Sequence, residues 1–158
     1  MPKVLITCFS KSGNTKRMAE YIREGLNSSE DIEVDLKGVE DTTIDDLCSS
    51  DGIIIGSPTY FGVMSTEVKD LIDRSIKCFG KLAGKAGGAF TSSAMVGGGN
   101  ETTIMSILQA LLIHGMIVHG DHKGNHYGPV SIGTPNEDVR DECLRYGKRF
   151  GNLVKKLC

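Results

Sequence analysis

Three hydroxyls, an amide and a glycine crowd into one short stretch, Ser10-Lys11-Ser12-Gly13-Asn14-Thr15. Residues of these types at this spacing can donate hydrogen bonds to an anion. The stretch follows an apolar run, Val4 to Cys8, that reads as a buried strand. It precedes Lys16 to Ile22, whose apolar residues recur at helical spacing. The first N–H groups of a helix have no partner within it, and the helix dipole favours negative charge there. Ser10, Ser12 and Thr15 add hydroxyl donors, and Gly13 lets the backbone come close. The stretch reads as a site for a phosphate monoester; the bland alternative is an ordinary helix start capped by Ser or Asn. The spacings of a P-loop and of G-x-G-x-x-G are absent. Cys8 does not read as a phosphatase nucleophile, because Asn14 stands where an anion-clamping Arg would be needed; it reads as a small apolar strand end.

The elements that must position this stretch alternate along the chain. Strands are expected at 3–8, 32–36, 52–56, 85–90 and 116–118, and helices at 14–27, 43–49, 65–78, 100–114 and 137–157. Thr43 and Ser65 are expected to open two of the helices. Val139, Cys143, Tyr146, Phe150, Leu153 and Leu157 form one stripe on the last. Alternating strands and helices imply a mostly parallel sheet covered on both faces. Five strands fit a doubly wound, three-layer α/β/α fold of order 2-1-3-4-5 in one domain spanning 1–158. In such a sheet ligands bind beyond the carboxyl ends of the strands, so chemistry belongs in the loops after strands one, three and four.

Those other two loops are unusual. After strand three comes Pro58-Thr59-Tyr60-Phe61-Gly62, which puts adjacent aromatics in a loop of a chain with only nine Phe plus Tyr and no Trp. After strand four comes Ser92-Ser93-Ala94-Met95-Val96-Gly97-Gly98-Gly99, and three consecutive glycines suggest a flat ligand lying against bare backbone. An aromatic wall, a glycine-rich wall and a phosphate turn describe a slot for a planar ring carrying one phosphate, which is FMN. A response regulator, the rival on this topology, needs an Asp at the end of strand three, where Gly56-Ser57 stands.

The same residues carry a resemblance. Ser10 to Thr15 is similar to the phosphate loop of flavodoxins. Gly56 to Ser65, Phe90 to Ser93, Gly97 to Thr103 and His114-Gly115-Met116 resemble WrbA-type NAD(P)H:quinone oxidoreductases. The resemblance implies that Ser10 to Thr15 hold the FMN phosphate, that Pro58 to Gly62 contact the flavin ring, and that Ser92 to Gly98 hold the ribityl chain and ring edge. It places His114 near the flavin, in the same pocket or across a subunit boundary. It further implies NAD(P)H as electron donor, a quinone or other small acceptor, and a homodimer or homotetramer. A flavodoxin-type carrier passing single electrons to a redox protein is the alternative. The segment Leu36 to Asp51 is short where WrbA-type proteins carry an insertion, and Ser12 stands where they carry an aromatic.

A net charge of −2 gives no electrostatic case for nucleic acid. No apolar run approaches a membrane span, and no signal-peptide pattern opens the chain. Five scattered Cys without C-x-x-C read as reduced thiols in a cytoplasmic protein. All four His fall between 114 and 126, with Asp121 among them. The spacing allows a zinc site or a polar loop over the pocket. In that loop His126 would deliver a proton to the acceptor, and His126-Tyr127-Gly128 would supply a lid.

Overall fold

Val4, Leu5 and Ile6 are fully buried, as a central strand covered on both faces requires. A computed structural model describes residues 1–158. The strands β1 (Lys3–Cys8), β2 (Glu33–Gly38), β3 (Gly52–Pro58), β4 (Ala86–Ser93) and β5 (Ile117–Val118) pair in parallel in the order β2-β1-β3-β4-β5. The expected order is present. Alternation along β1 and β3 divides the core. Val4, Ile6 and Ile54 face α1 (Asn14–Asn27) and α5 (Glu137–Leu157). Leu5, Ile53 and Ile55 face α2 (Ile44–Ser49), α3 (Thr66–Arg74) and α4 (Asn100–Ile113). Thr43 and Asp46 form a reciprocal capping box on α2, and Ser65 caps α3 through the Val68 N–H at 3.3 Å. No helix is long and apolar enough to cross a membrane.

β2 runs over Glu33–Gly38, and the helix expected at 65–78 is α-helical only over Thr66–Arg74, giving way to a 3-10 turn at Ser75–Cys78; two further differences matter at the rim. β3 runs on to Pro58 and β4 to Ser93, so Ser92 and Ser93 are strand residues rather than loop. A sixth strand, β6 (Val130–Ile132), holds the end of β4 in place by pairing with Thr91 to Ser93. β5 pairs with Ala86 and Gly87 at the start of the same strand. The outer position of the sheet is thus built from two pieces, with residues 119–129 looping out between them. A three-residue strand between Pro129 and Gly133 carries too short a pattern to be read as periodic.

The small residues of β4 answer to packing. A Cβ on Gly88 would run into the Tyr146 hydroxyl of α5. On the other face, a Cβ on Gly87 would press on Leu111 at 3.2 Å.

Candidate functional site

The turn between β1 and α1 is built to donate. Gly13 stands at the helix N-cap with φ +98°, and no side chain caps the helix. The backbone N–H groups of Lys11, Ser12, Gly13, Asn14 and Thr15 have no acceptor in the protein. No acidic side chain occupies the first turn. The hydroxyls are divided. Ser10 Oγ accepts the Lys16 N–H at 3.1 Å, and Thr15 Oγ1 bonds Ser92 Oγ at 2.8 Å, tying the turn to the end of β4. Successive free amides at a positive helix end, with no carboxylate beside them, are the donor set a phosphate monoester needs.

The loop after β3 is shaped by its own backbone. Tyr60 and Val63 exchange both N–H···O bonds at 3.1 Å, with Phe61 at φ +51° and Gly62 at φ +80° between them. That is a tight turn of the I′ kind, which asks for glycine or asparagine. Phe61 sits in it at a conformational cost of about 1–2 kcal/mol and is fully exposed. The turn is fastened to the start of α4: Thr102 Oγ1 donates to the Gly62 carbonyl at 2.6 Å, and Ser106 Oγ accepts the Met64 N–H at 3.2 Å. Below it, Thr59 Oγ1 and Thr91 Oγ1 lie 2.9 Å apart, and Thr91 donates to the Ser57 carbonyl.

One cavity of about 620 Å³ joins the three segments. Lys11, Ser12, Asn14 and Thr15 line it from the turn after β1, and Pro58, Thr59 and Tyr60 from the end of β3. Ser92, Ser93 and Ala94 close it from β4. Its size is that of a small-molecule pocket. Phe61 and Gly62, and Met95 to Gly98, continue from these residues beyond the cavity's edge. Phe61, Met95 and Val96 are exposed there. The N–H groups of Phe61, Gly62 and Ala94 to Gly97 have no protein acceptor. Gly133, at the end of β6, also lines the cavity and donates to the Ser93 carbonyl at 2.8 Å. The sequence reading missed it; its one signal was the β-favouring Val130-Ser131-Ile132 between Pro129 and Gly133.

The glycine wall needs correction. A Cβ on Gly99 would stand 2.5 Å from the Gly62 Cα, so Gly99 is small because the β3 turn rests on it. A Cβ on Gly98 would meet only Met95 of its own loop, at 3.0 Å from its carbonyl oxygen. Protein packing accounts for Gly99 without any ligand.

His114 does not enter this cavity. It ends α4, which runs away from the rim, and lies beyond the Ala86–Ile117 pairing. β4 spans roughly 20 Å between that end and the rim. Ser75 Oγ donates to the Ile72 carbonyl at 2.6 Å, so the bond between His114 Nε2 and Ser75 Oγ, 2.8 Å, takes its proton from the imidazole. The lone pair on Nδ1 is then buried without a partner. Burial holds the His114 pKa below its ordinary 6.5. A base depressed in the fold contributes stability that is complete above 6.5 and lost as the pH falls below it. A His114→Gln variant keeps a donor for Ser75 and loses this titration. The stability gap between wild type and variant, from urea melts, is expected to shrink from pH 7.5 to 5.5. A gap independent of pH contradicts the assignment.

His126 is also outside the cavity. It lines a neighbouring space of about 260 Å³ with Asn100, Glu101 and Tyr127. Its Nδ1 donates to the Asp121 carbonyl at 2.7 Å. The Asp121 carboxylate is taken by Arg145 at 2.6 Å and Arg149 at 3.1 Å. Burial would raise the Asp121 pKa, but the Lys123 N–H and the two guanidiniums outweigh it and hold it low. No three His, Cys, Asp or Glu side chains converge here as a metal would require. Cys8 is buried and its thiol is pushed up to about 12, chiefly by desolvation, which leaves no thiolate beside the phosphate turn.

Comparison with known proteins bears on the family and the fold. A flavodoxin of Aquifex aeolicus is 41% identical over 98% of this chain and 88% of its own length. An NAD(P)H dehydrogenase (quinone) of Archaeoglobus fulgidus is 33% identical over the full length of both. The crystal structure of a WrbA-like flavodoxin from Agrobacterium tumefaciens superposes with a TM-score of 0.86 at 25% identity, covering both chains entirely. The family model described as NADPH-dependent FMN reductase matches residues 43–125, and with these identities the chain belongs to the flavodoxin-like FMN-binding family.

Proposed function

We propose that this protein is an NAD(P)H oxidoreductase that passes electrons through FMN to a quinone or similar small planar acceptor. Bound FMN supplies the electron transfer itself. The chain supplies position and polarity. The free amides of Lys11 to Thr15 hold the phosphate, and Ser12 and Asn14 add side-chain donors. Thr59 to Gly62 and Ser92 to Gly98 border the ring, with the unpaired N–H groups of Phe61, Gly62 and Ala94 to Gly97 as donors to its polar edge.

The observation that carries the reading is the character of the rim. The exposed side chains around the loops after β3 and β4 include Tyr60, Phe61, Ala94, Met95 and Val96, the exposed Lys11 and Ser12 belong to the turn after β1, and the turns at 10–15, 58–65 and 91–100 contain no carboxylate. An apolar ring end, with the one lining charge, Lys11, at the phosphate turn, suits a small planar molecule better than a charged protein surface. The relatives named NAD(P)H dehydrogenase (quinone) point the same way. A second reading, a flavodoxin-type electron carrier, has the 41% identity to the Aquifex flavodoxin behind it.

Turnover separates the two. The FMN-loaded protein is expected to oxidise NADPH or NADH steadily in the presence of benzoquinone, faster than the same concentration of free FMN. A rate no higher than free FMN with either nucleotide contradicts the enzyme reading and leaves the carrier.

A further inference from the structure

α4 has no charged side. Its inward residues Ile104, Ile107, Leu108 and Leu111 are buried in the core. On the outward side, too, charge is missing: no Asp, Glu, Lys or Arg occurs from Thr102 to Gly120, whereas each of the other four helices carries charged side chains. A helix of this kind is one that is covered on both sides. The outward positions are Thr102, Met105, Gln109, Leu112 and Ile113, and of these Leu112 and Ile113 are 54% and 72% exposed.

The open face continues onto α3. A groove of about 600 Å³ runs between the two helices, with Thr66, Lys69 and Asp73 on one wall and Ser106 and Gln109 on the other. One turn past Asp73, Ile76 is 66% exposed. Phe79 is 59% exposed, and its ring centre lies 5.8 Å from that of His114, the residue after Ile113. At about 150–250 Å² for a large side chain, Leu112, Ile113, Ile76 and Phe79 together present roughly 500 Å² at these exposures. The polar residues of the groove extend the face toward the roughly 800 Å² per partner of a standard interface, about a tenth of the 7692 Å² surface of this chain.

The polar groups of this face suit a copy of themselves. On α4 they are the hydroxyls of Thr102 and Ser106 and the carboxamide of Gln109, each both donor and acceptor. Such a group pairs with its own symmetry mate, which a carboxylate or an ammonium cannot do. On α3 the charges balance: Lys69 pairs with Asp73 at 2.7 Å, and Arg74 with Asp70 at 2.8 Å. A neutral strip offers no field to a strongly charged partner. In a two-fold contact, Lys69 and Asp73 can exchange partners between the copies.

We infer that α3 and α4 form a two-fold dimer interface with a second copy of this chain, the two α4 helices crossing antiparallel at Gln109. Gln109 stands midway along the outward stripe, four residues from both Met105 and Ile113. An antiparallel crossing there sets Met105 of one copy against Ile113 of the other and lets the two carboxamides hydrogen-bond across the axis. The dimer covers the apolar side of α4 and needs no bound flavin to form.

Analytical ultracentrifugation over a wide range of protein concentration tests this. Wild-type protein is expected to sediment as a dimer that dissociates on dilution. Gln109→Glu or Gln109→Lys alone puts two like charges at the axis and should weaken the dimer by about a hundredfold or more. Gln109 is exposed, so neither change should alter the circular dichroism spectrum. An equimolar mixture of the Gln109→Glu and Gln109→Lys variants should dimerise again, because opposite charges then meet at the axis. Leu157→Glu, a new charge on α5 at the opposite face of the sheet, should leave the dimer intact. Wild-type protein that stays monomeric throughout, whether free or bound to phosphatidylserine vesicles, overturns the proposal. So does a dimer indifferent to both Gln109 variants, or a mixture of the two that remains monomeric.

Discussion

A Gly99→Ala variant is expected to lose about 2–4 kcal/mol of stability and at least tenfold in FMN affinity. The cost has two physical sources. Gly99 holds φ +97°, where an L residue costs about 1–2 kcal/mol. The added methyl would also stand 2.5 Å from the Gly62 Cα, and a backbone atom of a tight turn cannot rotate out of the way as a side chain can. The turn must lift from α4, which breaks the 2.6 Å bond from Thr102 to the Gly62 carbonyl and displaces Phe61. Gly97 provides the control. It holds φ +72° with nothing within 4 Å of its missing Cβ. Gly97→Ala should therefore carry only the conformational cost, about 1–2 kcal/mol. Urea melts and flavin-fluorescence titrations of both variants check this. Equal losses in the two would show that Gly99 does not support the β3 turn.

The elements with strong local signals were the ones open to reading. α1 and α5 fall at 14–27 and 137–157 as expected, because both carry an uninterrupted apolar stripe. Thr43 and Ser65 announce helix starts by their hydroxyls, and the hydroxyl-rich turn and the Tyr60-Phe61-Gly62 turn stand out by composition alone. What escaped depends on contacts distant in sequence. Ser92 and Ser93 have weak strand preference of their own and are extended because β3 and β6 flank them. Gly99 looks like its two neighbours until Gly62 is seen against it. The resemblance put His114 in the flavin pocket or across a subunit boundary, and within the chain it lies away from the cavity. A helix that leaves the rim ends at the far side of the sheet, and α4 carries His114 there, onto Ser75.

The central claim is that the turn after β1 grips the phosphate of a flavin whose ring lies between the turns after β3 and β4. Comparing FMN with riboflavin in fluorescence titrations of the apoprotein tests it most directly. The two ligands share the ring and ribityl chain and differ only in the phosphate. Charge-assisted hydrogen bonds contribute about 1.5–3 kcal/mol each. Even two of the free amides at Lys11 to Thr15 then make FMN tighter by about two to four orders of magnitude. The difference should shrink with salt only modestly, because the amides are fixed dipoles rather than mobile surface charges. Riboflavin binding as tightly as FMN would contradict the account, for it would leave the amides of the β1–α1 turn without the ligand they are arranged to meet.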